Sequence, residues 1–275
     1  MAFRLEVDHR RKTNKETLAQ AFSLEKQIAC GAIGRASWEI TKKAIVHPKI
    51  EGAENFAIGR AKLKAGKSML LYLKDPLDKI GTPLGGAAVE SKLVSLDHAG
   101  VFVSRRQVDS SIGFPNLLQH LQLESFWGQY PGITMIRVVQ EKDRERYPDW
   151  AEYNDKAFRR AADFIKTPGN VFIITPEGER NPNGLGEAQA GFAVLFREAR
   201  ETAMAMPIAI PEGTSRVIAG VPFSYEQAIE DRRLNPNINK VKDRMMARLA
   251  LLLPEEQRGF YTKIASEFIM PPINQ

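Results

Sequence analysis

The chain of 275 residues carries 39 Lys+Arg against 33 Asp+Glu, four His, one Cys and 43% hydrophobic residues, which suits one sizeable globular domain or two small ones. An ordinary apolar fraction with 20 Gly and 16 Pro excludes disorder and collagen-like repetition, and the lone Cys30 excludes an internal disulfide and fits a reducing compartment. The net charge of +6 favours anionic partners, namely lipid headgroups, nucleic acid, phosphorylated substrates or an acidic carrier protein, without choosing among them.

Residues 1–12 are charged throughout and lack the apolar core of a signal peptide. No run approaches the roughly 18 apolar residues of a membrane-spanning helix, so the expected location is cytoplasmic. Thr13 and Glu16 have capping-box spacing, and residues 1–48 read as a basic helical hairpin that breaks at Gly31 and Gly34 and ends at His47-Pro48. Its Lys and Arg residues surround apolar faces, so it either lies on a membrane surface or packs on the main domain.

From residue 49 onward, short β-type runs at 69–73, 100–103, 134–139, 170–175, 206–210 and 217–221 alternate with helical periodicity at 153–165, 187–202 and 240–253. That alternation predicts an α/β domain with a mainly parallel central sheet flanked by helices, followed by C-terminal helices. No internal repeat or low-complexity linker divides residues 49–275, and the whole chain reads as one compact unit.

Three motif classes fail. Ala65-Gly66-Lys67-Ser68 has the letters of a P-loop tail, but Ala61 stands where the first glycine belongs, and the segment precedes a strand instead of following one. It reads as a polar turn. No G-x-S-x-G elbow, H-E-x-x-H helix or paired Cys/His metal spacing occurs, so the sequence implies no metal and no cofactor.

The informative segment is residues 170–184, where an apolar strand ends in Thr175-Pro176-Glu177-Gly178-Glu179-Arg180-Asn181 and an amphipathic helix follows. A carboxylate, a flexible backbone position and a permanent cation thus reach the carboxyl end of a strand, where open α/β sheets bind ligands. Arg180 offers a planar fork to phosphate oxygens and Glu177 accepts from hydroxyls, a pairing suited to a polyol phosphate. The same residues could also form only a surface ion pair beside a turn.

These residues resemble the third motif, F-P-E-G-T-R-S, of the PlsC-type glycerolipid acyltransferases, which include glycerol-3-phosphate and lysophosphatidic acid acyltransferases. Asn183 through Ala193 is similar to that family's glycine-containing loop and helix start. Gly132 to Arg137 resembles its second motif, Met206 to Ile210 its fourth, Ile50 to Asn55 the lead-in to its first strand, and Leu251 to Tyr261 a closing segment of bacterial members. The likeness spans roughly residues 45–261. It implies a glycerol-3-phosphate acyltransferase-like fold, a glycerol-phosphate-type acceptor, and an acyl-carrier-protein or coenzyme A thioester as co-substrate. It also implies substrate-binding roles for Arg137, Glu177, Gly178 and Arg180. A second Pro211-Glu212-Gly213-Thr214-Ser215-Arg216 repeats the letters in a poorer context and reads as a polar loop.

The family's first motif, N-H-x-x-x-x-D, supplies a histidine base oriented by an aspartate. Here the alignment places Asp78 at the aspartate, Leu73 at the histidine and Tyr72 at the asparagine. Leucine accepts no proton. None of His9, His47, His98 or His120 has an aspartate five residues on, which leaves His98, beside Asp97 and ahead of the next strand, as the candidate substitute. Lys74 and Asp75 read as a solvated turn. Glu179, where the family has Thr, adds negative charge beside any phosphate.

The expected function is therefore a divergent O-acyltransferase of glycerolipid and phospholipid synthesis, moving an acyl group from a thioester to a glycerol-phosphate hydroxyl. The alternative is an inactive homologue that binds a lipid or an acyl carrier as a scaffold subunit. Expected partners are an acyl carrier protein or acyl-CoA, the acceptor and an anionic membrane surface. Nucleic acid is not expected, because basic and acidic residues are interspersed and no binding motif occurs.

Overall fold

The computed structural model describes residues 49–74, 92–93, 98–104, 134–178, 181–229 and 237–268. The expected hairpin at 1–48 lies outside the described residues. So do Asp78, Glu179 and Arg180.

Among the described residues, seven strands form one sheet in the order β1-β7-β6-β2-β5-β3-β4. They are Lys49–Glu51 (β1), Ser68–Leu73 (β2), Ala99–Ser104 (β3), Thr134–Val138 (β4), Val171–Ile174 (β5), Ala203–Ala209 (β6) and Arg216–Ala219 (β7). Strands β2 to β6 are mutually parallel. β7 runs antiparallel to β6 and carries β1 parallel to itself at the edge. The sheet is thus the mainly parallel one expected, with a reversed two-strand edge.

Burial explains why β2 is central. All six of its residues are buried, matching the continuous apolar run of a strand covered on both faces. Leu70 and Tyr72 enter one core cluster, while Met69, Leu71 and Leu73 enter the other, as the two-residue pleat requires. The second face is covered by helix Ala53–Lys64 (α1), which buries only Phe56, Gly59 and Leu63.

The first face carries Trp150–Lys166 (α2), Gly191–Glu198 (α3), the short Tyr225–Ala228 (α4), Ile238–Ala250 (α5) and Thr262–Glu267 (α6). In α2, the buried residues Ala157, Ala161, Ala162 and Ile165 recur at helical spacing. Phe192, Ala193, Leu195 and Phe196 of α3 pack on the same side.

Pro207 lies inside β6, an interior strand, where a missing N–H would ordinarily break a ladder. Ala205 exchanges both backbone hydrogen bonds with Phe223, so the N–H direction of Ala205, and of Pro207 two residues on, is toward β7. Between the Ala205–Phe223 bridge and the Ile208–Ala219 pair, three steps on β6 face four on the partner. The proline falls in that bulge and deprives no ladder of a donor.

Candidate functional site

Three adjacent strands, β5, β2 and β6, leave the sheet side by side at its carboxyl edge. Tyr72 is in register with Ile174 on one side and with Pro207 on the other. The residues that emerge are therefore Pro176-Glu177-Gly178 from β5, Lys74 from β2 and Pro211-Glu212-Gly213 from β6.

Both Pro-Glu-Gly turns hold their glycine at positive φ, while the closing hydrogen bond falls one residue later in the second. Gly178 has φ 69° and Gly213 has φ 72°, a left-handed conformation that glycine adopts without a Cβ clash. Gly178 N–H donates to Thr175 O at 3.1 Å, and Thr214 N–H to Pro211 O at 3.3 Å. The polar loop expected at 211–216 is the connection from β6 to β7, and because β6 adjoins β2, both turns share one rim.

Glu177 is 5% exposed. Its Oε2 accepts from Gly186 N–H at 2.5 Å, and a Cβ on Gly186 would come within 3.1 Å of that oxygen, so glycine lets the backbone approach the carboxylate. Around it, Gln189 N–H donates to Pro176 O at 2.9 Å, and Gln140 Nε2 donates to Gly178 O at 3.0 Å. Gln140 is itself held by the turn after β4, where Asn154 bonds both Val139 N–H and Val139 O at 2.8 and 2.9 Å.

Lys74 is 1% exposed and forms an ion pair with Glu212, whose side chain is 27% exposed. Glu212 N–H donates to Gln257 Oε1 at 2.9 Å, and Leu185 N–H donates to Gln257 O at 3.1 Å. Phe260 N–H returns to Leu185 O at 2.8 Å, and Ala188 N–H donates to the Tyr261 hydroxyl at 3.0 Å. The closing segment thus ties the loop that carries Gly186 to the loop that carries Glu212. Burial pushes the Tyr261 phenol well above its ordinary range, so it stays protonated.

The other expected site residues fall in different places. Leu73 is 9% exposed and packs in the apolar cluster beneath α1. Tyr72, fully buried, points to the opposite face, packs its ring at a tilt 5.7 Å from that of Phe192 and donates to Met245 O at 2.8 Å.

Arg137 is exposed on β4, between Ile136 and Val138, which both pack into the first-face core; it therefore projects from the second face. His98 immediately precedes Ala99, which is in register with Val171 at the start of β5. It stands at the amino edge, and the structure does not bring it to Glu177. The solvated turn expected at Lys74 is corrected: the side chain is 1% exposed because its ammonium pairs with Glu212; the repeated Pro-Glu-Gly letters were the available signal for Glu212, and Gln257 had none of its own.

No group of three or more His, Cys, Asp or Glu residues suited to a metal occurs among the described residues. None of their helices is long and apolar enough to cross a membrane.

No protein-family model and no curated protein matches the chain. Among solved structures the chain is similar to the 1-acyl-sn-glycerophosphate (LPA) acyltransferase PlsC from Thermotoga maritima, with a TM-score of 0.43 and 12% identity, covering 83% of this chain and 84% of that one.

Proposed function

We propose that the chain is a divergent O-acyltransferase whose site is the carboxyl rim of β5, β2 and β6. The observation that carries this reading is Glu177, a buried carboxylate held by the Gly186 N–H in a Pro-Glu-Gly turn at the end of a parallel strand. It coincides with the segment whose letters resemble the third acyltransferase motif. Glu177 and Gly178 shape the acceptor pocket, while Arg137 and Arg180 attract the phosphate of a glycerol-phosphate-type acceptor. An acyl-carrier-protein or coenzyme A thioester is the donor, and the basic chain works at an anionic membrane surface as a peripheral protein.

Thioester-dependent acylation of glycerol 3-phosphate and of its monoacyl form by the purified protein tests this reading. Product formation well above that of an Arg137→Ala/Glu177→Ala variant supports it. Equal rates eliminate it.

A second reading, a binding subunit without turnover, is favoured by one observation: Leu73 and Tyr72, at the positions of the family's His and Asn, are both built into apolar cores. It predicts that the native protein binds acyl carrier or lipid and releases no free thiol from the thioester.

A further inference from the structure

We propose that Glu212 is the proton acceptor at this rim, held in place by Lys74; the inference rests on the acyltransferase reading and deepens it. The family position for the base, Leu73, is apolar and buried. The next residue, Lys74, reaches a carboxylate from the neighbouring strand exit instead. A lysine that is 1% exposed needs a counter-ion, because an isolated buried charge is strongly disfavoured. Glu212 supplies it through Oε1 while its side chain stays 27% exposed. The carboxylate is therefore both fixed and reachable.

Its position is set from two directions. Lys74 extends from β2, and Gln257 Oε1 accepts the Glu212 N–H at 2.9 Å. Gln257 O also accepts from Leu185, the residue before Gly186, whose N–H holds Glu177. A continuous set of bonds thus runs from Glu177 through residues 185–186, Gln257 and Glu212 to Lys74. Both glutamates are kept in one frame, flanking the end of β2. Positioning of this kind is what general-base catalysis requires.

In the step itself, the acceptor hydroxyl gives its proton to the Glu212 carboxylate as its oxygen bonds to the thioester carbonyl carbon. The carbon–sulfur bond then breaks, and the departing thiolate takes the proton back. The products are an ester and a free thiol, with Glu212 regenerated. Glu212 is the catalytic residue here; Lys74 and Gln257 are positioning residues.

The test uses the full-length protein with palmitoyl-coenzyme A and either glycerol 3-phosphate or its monoacyl form, following kcat/KM across pH. Glu212→Gln is expected to lower kcat/KM by about 100-fold and to abolish the fall in rate on the acid side of the profile. Glu212→Gln leaves Lys74 buried without its counter-ion, so Lys74→Met/Glu212→Gln, which removes both charges, is measured beside it, with circular dichroism reporting the fold. Turnover of either folded variant within about threefold of wild type overturns the proposal while the acyltransferase reading stands. Wild-type turnover no greater than that of Arg137→Ala/Glu177→Ala overturns both.

Discussion

The hydroxyl of Tyr72 donates to the carbonyl oxygen of Met245 across 2.8 Å, pinning α5 to the central strand from a fully buried position. Burial drives the phenol far above its ordinary value of 10.0, so the folded state holds it neutral. The unfolded chain ionises it above about pH 10, and stability that is complete below that pH is lost as pH rises further. Tyr72→Phe is expected to cost about 1 kcal/mol at pH 8. It should also make the alkaline loss shallower, by up to about 1.4 kcal/mol per pH unit. Urea unfolding at pH 8 and at about pH 11 checks both expectations.

Leu73 packs with Leu71 and Ile208 in the cluster beneath α1. Leu73→His, which would supply the histidine of the acyltransferase motif this segment resembles, places a polar ring in that cluster and should destabilise the fold by about 2 kcal/mol. The midpoint of denaturant unfolding reports the change. An unchanged midpoint would show that the side chain at 73 can turn outward.

Much of this architecture was legible in the chain. β2 to β5 stand where β-branched and large apolar residues cluster, and their ends fall within two residues of expectation. β6 begins three residues earlier than expected because Ala203, Met204 and Ala205 carry little strand propensity. The helix expected at 187–202 contracts to Gly191–Glu198 because residues 186–189 are drawn into backbone bonds with Glu177, Pro176 and Tyr261. α1 is not legible in the sequence because its buried stripe is only Phe56, Gly59 and Leu63. The second Pro-Glu-Gly turn could be read as letters, but its meaning depends on β6 lying beside β2. Strand order is a long-range property that no local pattern encodes.

The junction between β1 and α1 yields a third expectation. Gly52 has φ 72°, and a Cβ there would collide with the carbonyl oxygen of Ala219, which also accepts from Asn55 Nδ2 at 2.8 Å. Gly52→Ala is expected to cost about 1–3 kcal/mol, and Asn55→Ala about 1 kcal/mol. Hydrogen exchange should localise the loss to β1, β7 and the start of α1.

Glu51 and Arg216 join β1 to β7 by two bonds, Nε to Oε1 at 2.7 Å and NH2 to Oε2 at 2.6 Å. Bonding from Arg216 holds the Glu51 carboxyl below its ordinary value of 4.5. The pair therefore adds stability above that pH and loses it as pH falls through the lowered value. Glu51→Gln should flatten the acid limb of the stability profile. Because both side chains are partly exposed, the difference should shrink in high salt.

Acyl transfer at the rim around Glu177 is measured by free-thiol release from an acyl thioester, coupled to ester formation on glycerol 3-phosphate or its monoacyl form. Wild-type protein is expected to release thiol and form ester in equal amounts. Glu177→Gln should reduce both by about 100-fold while keeping the fold. Equal rates for wild type and Glu177→Gln would rule out acyl transfer at this rim.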